Sequence, residues 1–267
     1  MKKLLIVFIV MITVLVLMVT VGFGDQTDKS MTLPAEGLGS LRIDSGAGWL
    51  KVTGVPGLDR IEVLAEIEAR GVDSDEMEDF IKDHVELTLE KRGGRGVLSS
   101  HIEGGWRLFG SGDSRINLTV RIPKSMALEI EDGSGEMTIL DIDADVEIED
   151  GSGAIRVERI NGNVEIDDNS GDLDVRDVSG DVSIDDGSGG IDVGKVGGSV
   201  TVNDGSGGIS IDGVGKDVII KDSGSGGVRI DNVKGRVIRH DKDYDEDDDD
   251  DDNDDDNDDD DDADWRP

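Results

Sequence analysis

Hydrophobic residues in the second half of the chain recur at every eighteenth position. In one copy the apolar positions are Leu173, Val175, Val178, Val182 and Ile184. Two apolar pairs, each spaced by two residues, predict two short strands per copy with one face turned inward. The glycine and β-branched residues of each copy disfavour a helix. The six copies begin at Asp132, Asp150, Asp168, Asp186, Asp204 and Asp222.

A single copy buries too few side chains to fold by itself. The free energy lost in ordering its backbone exceeds the free energy gained by burying its five inward residues. Stacked copies solve this problem, since each strand pairs with its equivalent and the apolar residues form continuous ladders. The sequence therefore predicts an all-β fold, a single-stranded-type parallel β-solenoid with 18-residue coils.

The letters DGSG, which open most copies, have two interpretations. Stacking places the six Asp residues in one column with neighbours about 4.8 Å apart. As a corner, Asp accepts backbone N–H groups and Gly supplies a positive φ. As a metal site, the column offers carboxylates to calcium. We favour the corner, because turn chemistry explains every letter and exposed corners keep the repulsion between neighbours weak. No cofactor is predicted beyond weakly bound Ca²⁺.

The repeat begins early in the chain and is interrupted. DSGAGWLKV at Asp44 parallels DSGSGGVRI at Asp222, including one extra residue in the turn. We assign residues 38–125 to an N-terminal β region and residues 126–240 to the solenoid repeats. A helix/hairpin insertion that caps the solenoid is expected within the first region.

The spacing of Asp73 and Glu76 is that of a capping box, and Met77, Phe80 and Ile81 make a short apolar stripe. These residues predict one helix. The helix is expected near 74–83, and strands are expected near 84–91, 97–103 and 115–122.

The N-terminal segment has the pattern of an export signal. Lys2 and Lys3 precede an apolar run over residues 4–21. Residues 1–24 are therefore a signal peptide or an N-terminal membrane anchor, and residues 25–37 a linker. Either alternative predicts an exported protein, periplasmic or at the cell surface; the anchor would hold it at the inner membrane.

The C-terminal segment, residues 241–267, carries 19 acidic residues against Lys242 and Arg266. Such a block is predicted to be a disordered Asp-rich tail that binds calcium weakly. The formal net charge of the whole chain is −36. This charge argues against nucleic acid and anionic membrane surfaces as partners.

Catalytic chemistry finds little support in the sequence. The chain has no cysteine, and its histidines, His84, His101 and His240, show no metal-ligand spacing. The serines of the corners recur in every copy, whereas a nucleophile would be singular and near a base. We therefore expect a protein that is not an enzyme.

The run RINLTVRIPKSMALEIEDGSGEMTI (115–139) resembles the core of the bacterial putative-adhesin family, also called toastrack domains. The resemblance covers about residues 38–240 and is specific for fold. It implies a cell-envelope or surface interaction and scaffold module whose partner is a protein or a surface glycan. Two alternatives stay open, a divalent-cation-binding envelope protein and a component of an envelope-stress sensor.

Overall fold

The computed structural model of the chain describes residues 15–17, 26–103 and 114–240. Two long β-sheets enclose one apolar core, and this arrangement confirms the predicted solenoid. The predicted tail (241–267) and, apart from residues 15–17, the predicted signal peptide or anchor (1–24) lie outside the described residues. Within the described part of the chain, no helix is long and apolar enough to cross a membrane.

The described residues before Ala127 form eight strands and one helix. They are β1 (Leu15–Leu17), β2 (Gln26–Pro34), β3 (Ser40–Ala47), β4 (Leu50–Val55), β5 (Arg60–Glu68), α1 (Met77–His84), β6 (Val85–Arg92), β7 (Arg95–Ile102) and β8 (Arg115–Pro123). Where the sequence predicted a linker over 25–37, the structure has β2, which pairs antiparallel with β5. The strand forms there because Met31 and Leu33 are buried in the core.

The repeats form a regular succession of short strands. They are β9 (Ala127–Ser134), β10 (Met137–Ile142), β11 (Val146–Asp150), β12 (Ile155–Ile160), β13 (Val164–Asp168), β14 (Leu173–Val178), β15 (Val182–Asp186), β16 (Ile191–Val196), β17 (Val200–Asp204), β18 (Ile209–Val214), β19 (Val218–Asp222), β20 (Val228–Val233) and β21 (Val237–Arg239). Successive strands alternate between the two sheets, so each coil contributes one strand to each sheet.

The first sheet, called sheet A here, has the strand order β1-β2-β5-β8-β4-β10-β12-β14-β16-β18-β20. The second, sheet B, has the order β21-β19-β17-β15-β13-β11-β9-β3-β7-β6. Coil strands pair in parallel, and each residue lies opposite its equivalent in the next copy, as in Val164 with Val182 and Leu173 with Ile191. The predicted coil length is therefore confirmed.

The core is a column of aliphatic side chains between the two sheets. All five inward residues predicted for the copy that begins at Asp168 are at most 2 % exposed. They alternate with exposed or half-buried residues along each strand, as the period of two requires.

The insertion lies at the N-terminal end of the coil stack. The hairpin of β6 and β7 extends sheet B through the pairing of β7 with β3. The helix begins at Met77, later than predicted, and its N-cap residue Glu76 makes no side-chain capping bond. The expected capping box is therefore wrong. Instead, the Glu76 N–H donates to the Asp73 carbonyl at 2.9 Å and closes a turn before the helix.

Candidate functional site

The DGSG corners place Asp residues inside the molecule, at the ends of the strands of sheet B. Asp132, Asp150, Asp168, Asp186 and Asp204 follow each other in parallel register and form what we call the buried Asp column. Their exposure runs from 0 % for Asp204 to 6 % for Asp132. The expectation that the corners are exposed is therefore wrong. Each carboxylate turns inward because its strand continues the inward alternation of the apolar residues before it, as in Val182, Ile184 and Asp186.

At three of the corners, one carboxylate oxygen acts as the turn interpretation predicted. The Oδ1 atoms of Asp168, Asp186 and Asp204 accept the backbone N–H two residues later at 3.0–3.1 Å. The second oxygen has no such role. Buried carboxylate oxygens without a hydrogen-bond partner are Oδ2 of Asp132, Asp168, Asp186 and Asp204 and both oxygens of Asp150. Turn chemistry thus accounts for only part of the column.

Burial and mutual repulsion make these carboxyls weak acids. Burial, followed by the charges of Asp132 and Asp168, raises the pKa of Asp150 to about 7. Burial, followed by the charges of its column neighbours and Asp185, raises the pKa of Asp186 to about 6. Burial also raises the pKa of each other member of the column. Desolvation disfavours the charged form of an acid, and a like charge nearby adds to the effect.

The column ends differently from the sequence prediction. Across a register shift, Asp222 pairs with Asn203 rather than with Asp204, so it lies outside the column. Asp222 is partly exposed, and it still accepts the Gly224 N–H at 3.0 Å. At the other end Ser45 occupies the column position, and its hydroxyl donates to Asp132 Oδ1 at 2.6 Å.

The glycine that closes each DGSG corner is required by close packing between coils. Gly171 has φ of +157°, and a Cβ atom there would overlap the carbonyl oxygen of Gly153 in the preceding coil. By contrast, Gly208 directly follows the DGSG corner that begins at Asp204, and a Cβ atom there would meet nothing within 4 Å. Gly171 therefore needs to lack a side chain, whereas Gly208 does not.

The second corner carries Asp or Asn in four coils and Ser199 in a fifth. Asp145, Asn163, Asp181 and Asp217 form what we call the outer Asp/Asn column. Each side chain accepts a backbone N–H from the next coil, at 2.7–2.9 Å. Arg236 bonds to Asp217 and lowers the pKa of that carboxyl.

A third column was missed by sequence reasoning. Asp141, Arg159, Asp177 and Lys195 have φ between 55° and 63°, in the left-handed region that non-glycine residues seldom adopt. Their charges alternate from coil to coil, and Arg159 contacts Asp141 at 2.8 Å while Lys195 contacts Asp177 at 3.3 Å. Two features of the sequence could have revealed this column: one such residue recurs in each copy, and the sign of its charge alternates.

The histidines lie on separate elements. His84 lies in the last turn of α1 with its ring 5.3 Å from that of Phe80, and His101 on β7 contacts Asp44 Oδ1 at 2.8 Å. His240 follows β21. Across residues 26–103 and 114–240, no group of three or more His, Asp or Glu side chains is placed to hold a metal ion. The chemistry that the buried Asp column offers is the uptake of protons by carboxylates.

The coils and corners define a parallel β-solenoid whose turns are built from recurring Ser-Gly corners. The model of the Toastrack DUF4097 family matches residues 59–241, and the chain belongs to that family.

Two solved structures are also similar. A putative cell adhesion protein from Clostridium sporogenes is 13 % identical, with a TM-score of 0.33 over 81 % of this chain and 100 % of its own. A putative adhesin from Bacteroides fragilis is 11 % identical, with a TM-score of 0.30 over 80 % of this chain and 97 % of its own. No curated protein matches.

Proposed function

We propose that this chain is an exported, non-enzymatic β-solenoid that acts as an interaction and scaffold module of the cell envelope or surface. Export is supported by Lys2, Lys3 and the apolar run over residues 4–21. The interaction role is supported by the outer face of sheet B, which is broad, regular and charged.

This face changes its charge along the solenoid. On β11 and β13, Glu147, Glu149, Glu165 and Asp167 are exposed and lie in register with one another. Nearer the N-terminal end, Arg42 bonds to both Glu129 and Glu131. The position before each corner runs from acidic to neutral to basic, in the order Glu131, Glu149, Asp167, Asp185, Asn203 and Lys221.

A row of in-register carboxylates is the single observation that carries the proposal. Like charges at strand spacing repel each other, so they add nothing to the stability of the sheet. A partner with basic groups would remove that repulsion on binding, and charge complementarity steers such a partner to this face. A basic protein surface is therefore the partner that we propose.

Site-specific crosslinking in the host cell tests this proposal. A photo-crosslinking residue replaces Glu149 or Asp167 on sheet B, and in matched controls Asp192 or Asp212 on the outer face of sheet A. We expect a discrete protein adduct from the sheet B positions only, and loss of that adduct in the variant Glu147→Lys with Glu165→Lys. Equal labelling from both sheets, or adducts with cytoplasmic proteins alone, would contradict the proposal.

A second candidate function is the binding of divalent cations in the envelope. The 19 acids of residues 241–267 favour it, because carboxylate oxygens are ligands that calcium prefers. Calorimetric calcium titration of the chain with and without residues 241–267 separates the tail from the solenoid. Weak uptake at many sites that disappears on truncation after His240 assigns calcium to the tail. Tight uptake that survives truncation assigns it to the solenoid.

A further inference from the structure

Five carboxylates stacked in register inside the solenoid raise the question of what neutralises them. Asp168, Asp186 and Asp204 are at most 2 % exposed, and in each of them Oδ2 has no hydrogen-bond partner. A buried charge without a partner is costly, and the usual outcome is that the group changes its protonation state. Because strand pairing sets the spacing, neighbouring carboxylates are held about 4.8 Å apart and cannot separate.

The groups around the column supply little compensating charge. At the N-terminal end, His101 faces Asp132, and its own contact is Asp44. Along the column the charges that act on these carboxyls are those of other acids, namely the column members themselves and Asp167, Asp185 and Asp222. Among the described residues that act on the column, His101 is the one that can carry positive charge.

The column also lacks the oxygen ligands that a metal ion needs. Calcium takes six to eight oxygens. The backbone carbonyls at this corner are already engaged, because those of Asp132, Asp150, Asp168 and Asp186 each accept an N–H from the next coil at 2.8–3.1 Å. Among the described residues, no three carboxylates are placed together to hold a metal ion.

We propose that the buried Asp column is a proton-binding site, in which carboxylates take up protons as the coils stack and stand as neutral acids. Each step adds one proton to one carboxylate and removes one buried negative charge. The protonated oxygen becomes a donor towards its neighbour in the column. Ser45 shows that such a contact can form, since its hydroxyl reaches Asp132 in the adjacent coil at 2.6 Å.

The sign of the resulting pH dependence follows from linkage. An unfolded Asp has a pKa of about 3.9, whereas in the folded chain the pKa is raised to about 7 for Asp150 and about 6 for Asp186. Between about pH 4 and about pH 7, the folded state therefore binds more protons than the unfolded state. The contribution of these carboxyls to the free energy of unfolding is fully present below about pH 4. It is lost as the pH rises towards about 7.

The experiment measures the melting temperature of the full chain from pH 4.5 to 7.5, with EDTA and with enough salt to screen surface charges. The variant Asp186→Asn keeps the turn acceptor and removes one ionisable group. Its matched control is Asp181→Asn, the same change in the outer Asp/Asn column. We expect Asp186→Asn to raise the melting temperature at pH 7.5 by about 2–4 °C and to leave it unchanged at pH 4.5. Asp181→Asn should give the same small shift at both pH values.

Two results would overturn the proposal. One is a shift for Asp186→Asn that is equal at both pH values, since this would place no proton on the carboxyl. The other is a calcium-dependent rise in the melting temperature of the unmodified chain that Asp186→Asn abolishes, since this would make a cation the ligand. If the variant does not fold, the proposal is tested on the unmodified chain instead, by the infrared carbonyl band of protonated carboxyls. Its persistence at pH 6 supports the proposal, and its absence there contradicts it.

Discussion

The two corners of the coil use Asp in opposite ways. In the buried Asp column, Asp186 is 2 % exposed and its pKa is raised, primarily by burial. In the outer Asp/Asn column, Asp217 bonds to Arg236 and its pKa is lowered. Every copy of the repeat contains both corners. The chemical difference comes from their places in the coil, because Asp186 is the last, inward-facing residue of its strand, whereas Asp217 lies in the turn just before β19.

The corners also differ in what they hold together. Asp186 accepts the N–H of Ser188 within its own turn. Asn163 accepts the N–H of Asp181, which belongs to the next coil. The buried corner therefore shapes a single turn, whereas the outer corner ties neighbouring coils together. Stacking brings like charges together at the buried corner, whereas it adds hydrogen bonds between coils at the outer corner.

The largest predicted effect comes from exchanging the two corners. Deletion of residues 186–194 removes half a coil, so the next buried corner, at Asp204, would stack on an outer corner of the coil before it. The apolar pairs still alternate, but the carboxylates and corner glycines no longer match. We expect the coils after the deletion to unfold, measured as lost circular dichroism and rapid proteolysis.

Deletion of residues 186–203 is the matched control. It removes one whole coil and preserves the register of both corners, so the remaining coils should stay folded and resist protease. If the two deletions behave alike, the distinction between the corners and the 18-residue coil are both wrong.

A second prediction concerns the packing of the buried corner. Gly171→Ala forces a Cβ atom into the backbone of Gly153, which can relieve the overlap only by moving the coils apart. We expect a loss of about 3 kcal/mol or more in the free energy of unfolding, in the range of severe overpacking. Gly208→Ala, with open space around it, should change that free energy by less than about 0.5 kcal/mol. Chemical denaturation measures both, and equal losses would contradict the assigned close approach.

The smallest predicted effect is at the outer corner. Asn163→Ala removes one hydrogen bond between coils and no charge, so we expect a loss of about 1 kcal/mol that does not vary between pH 4.5 and 7.5. Asn161→Ala, which removes an exposed hydrogen bond from the Ser179 hydroxyl rather than from a backbone N–H, serves as control and should cost less. A strong pH dependence for Asn163→Ala would show that the two corners are electrostatically coupled.

Much of this fold could be predicted from the sequence, because a strict repeat fixes strand spacing and register together. The inward residues Leu173, Val175, Val178, Val182 and Ile184 were all predicted correctly. Their period of two indicates one buried face in any parallel stack. The helix and hairpin were also predicted, within a few residues of their observed ends.

The buried state of the Asp residues could not be read from the same pattern. DGSG is also the composition of an ordinary exposed turn, and only the continuation of the strand through Asp186 turns its carboxylate inward. The register shift at Asp222 lies between Ile220 and Asp222, and the repeat gives no sign of it because Asp204 and Asp222 are eighteen residues apart. Likewise, Ser45 rather than Asp44 occupies the column, because Asp44 pairs with Glu131 and Ser45 with Asp132.

The most direct test follows the carboxyl carbon of individual Asp residues by NMR while the pH of the full chain is changed. The account predicts titration midpoints of about 7 for Asp150 and about 6 for Asp186. Asp217, at the outer corner, should titrate below the ordinary value for Asp. If Asp150 and Asp186 instead titrate together with Asp217, the column is charged at neutral pH and the proposed difference between the two corners is wrong.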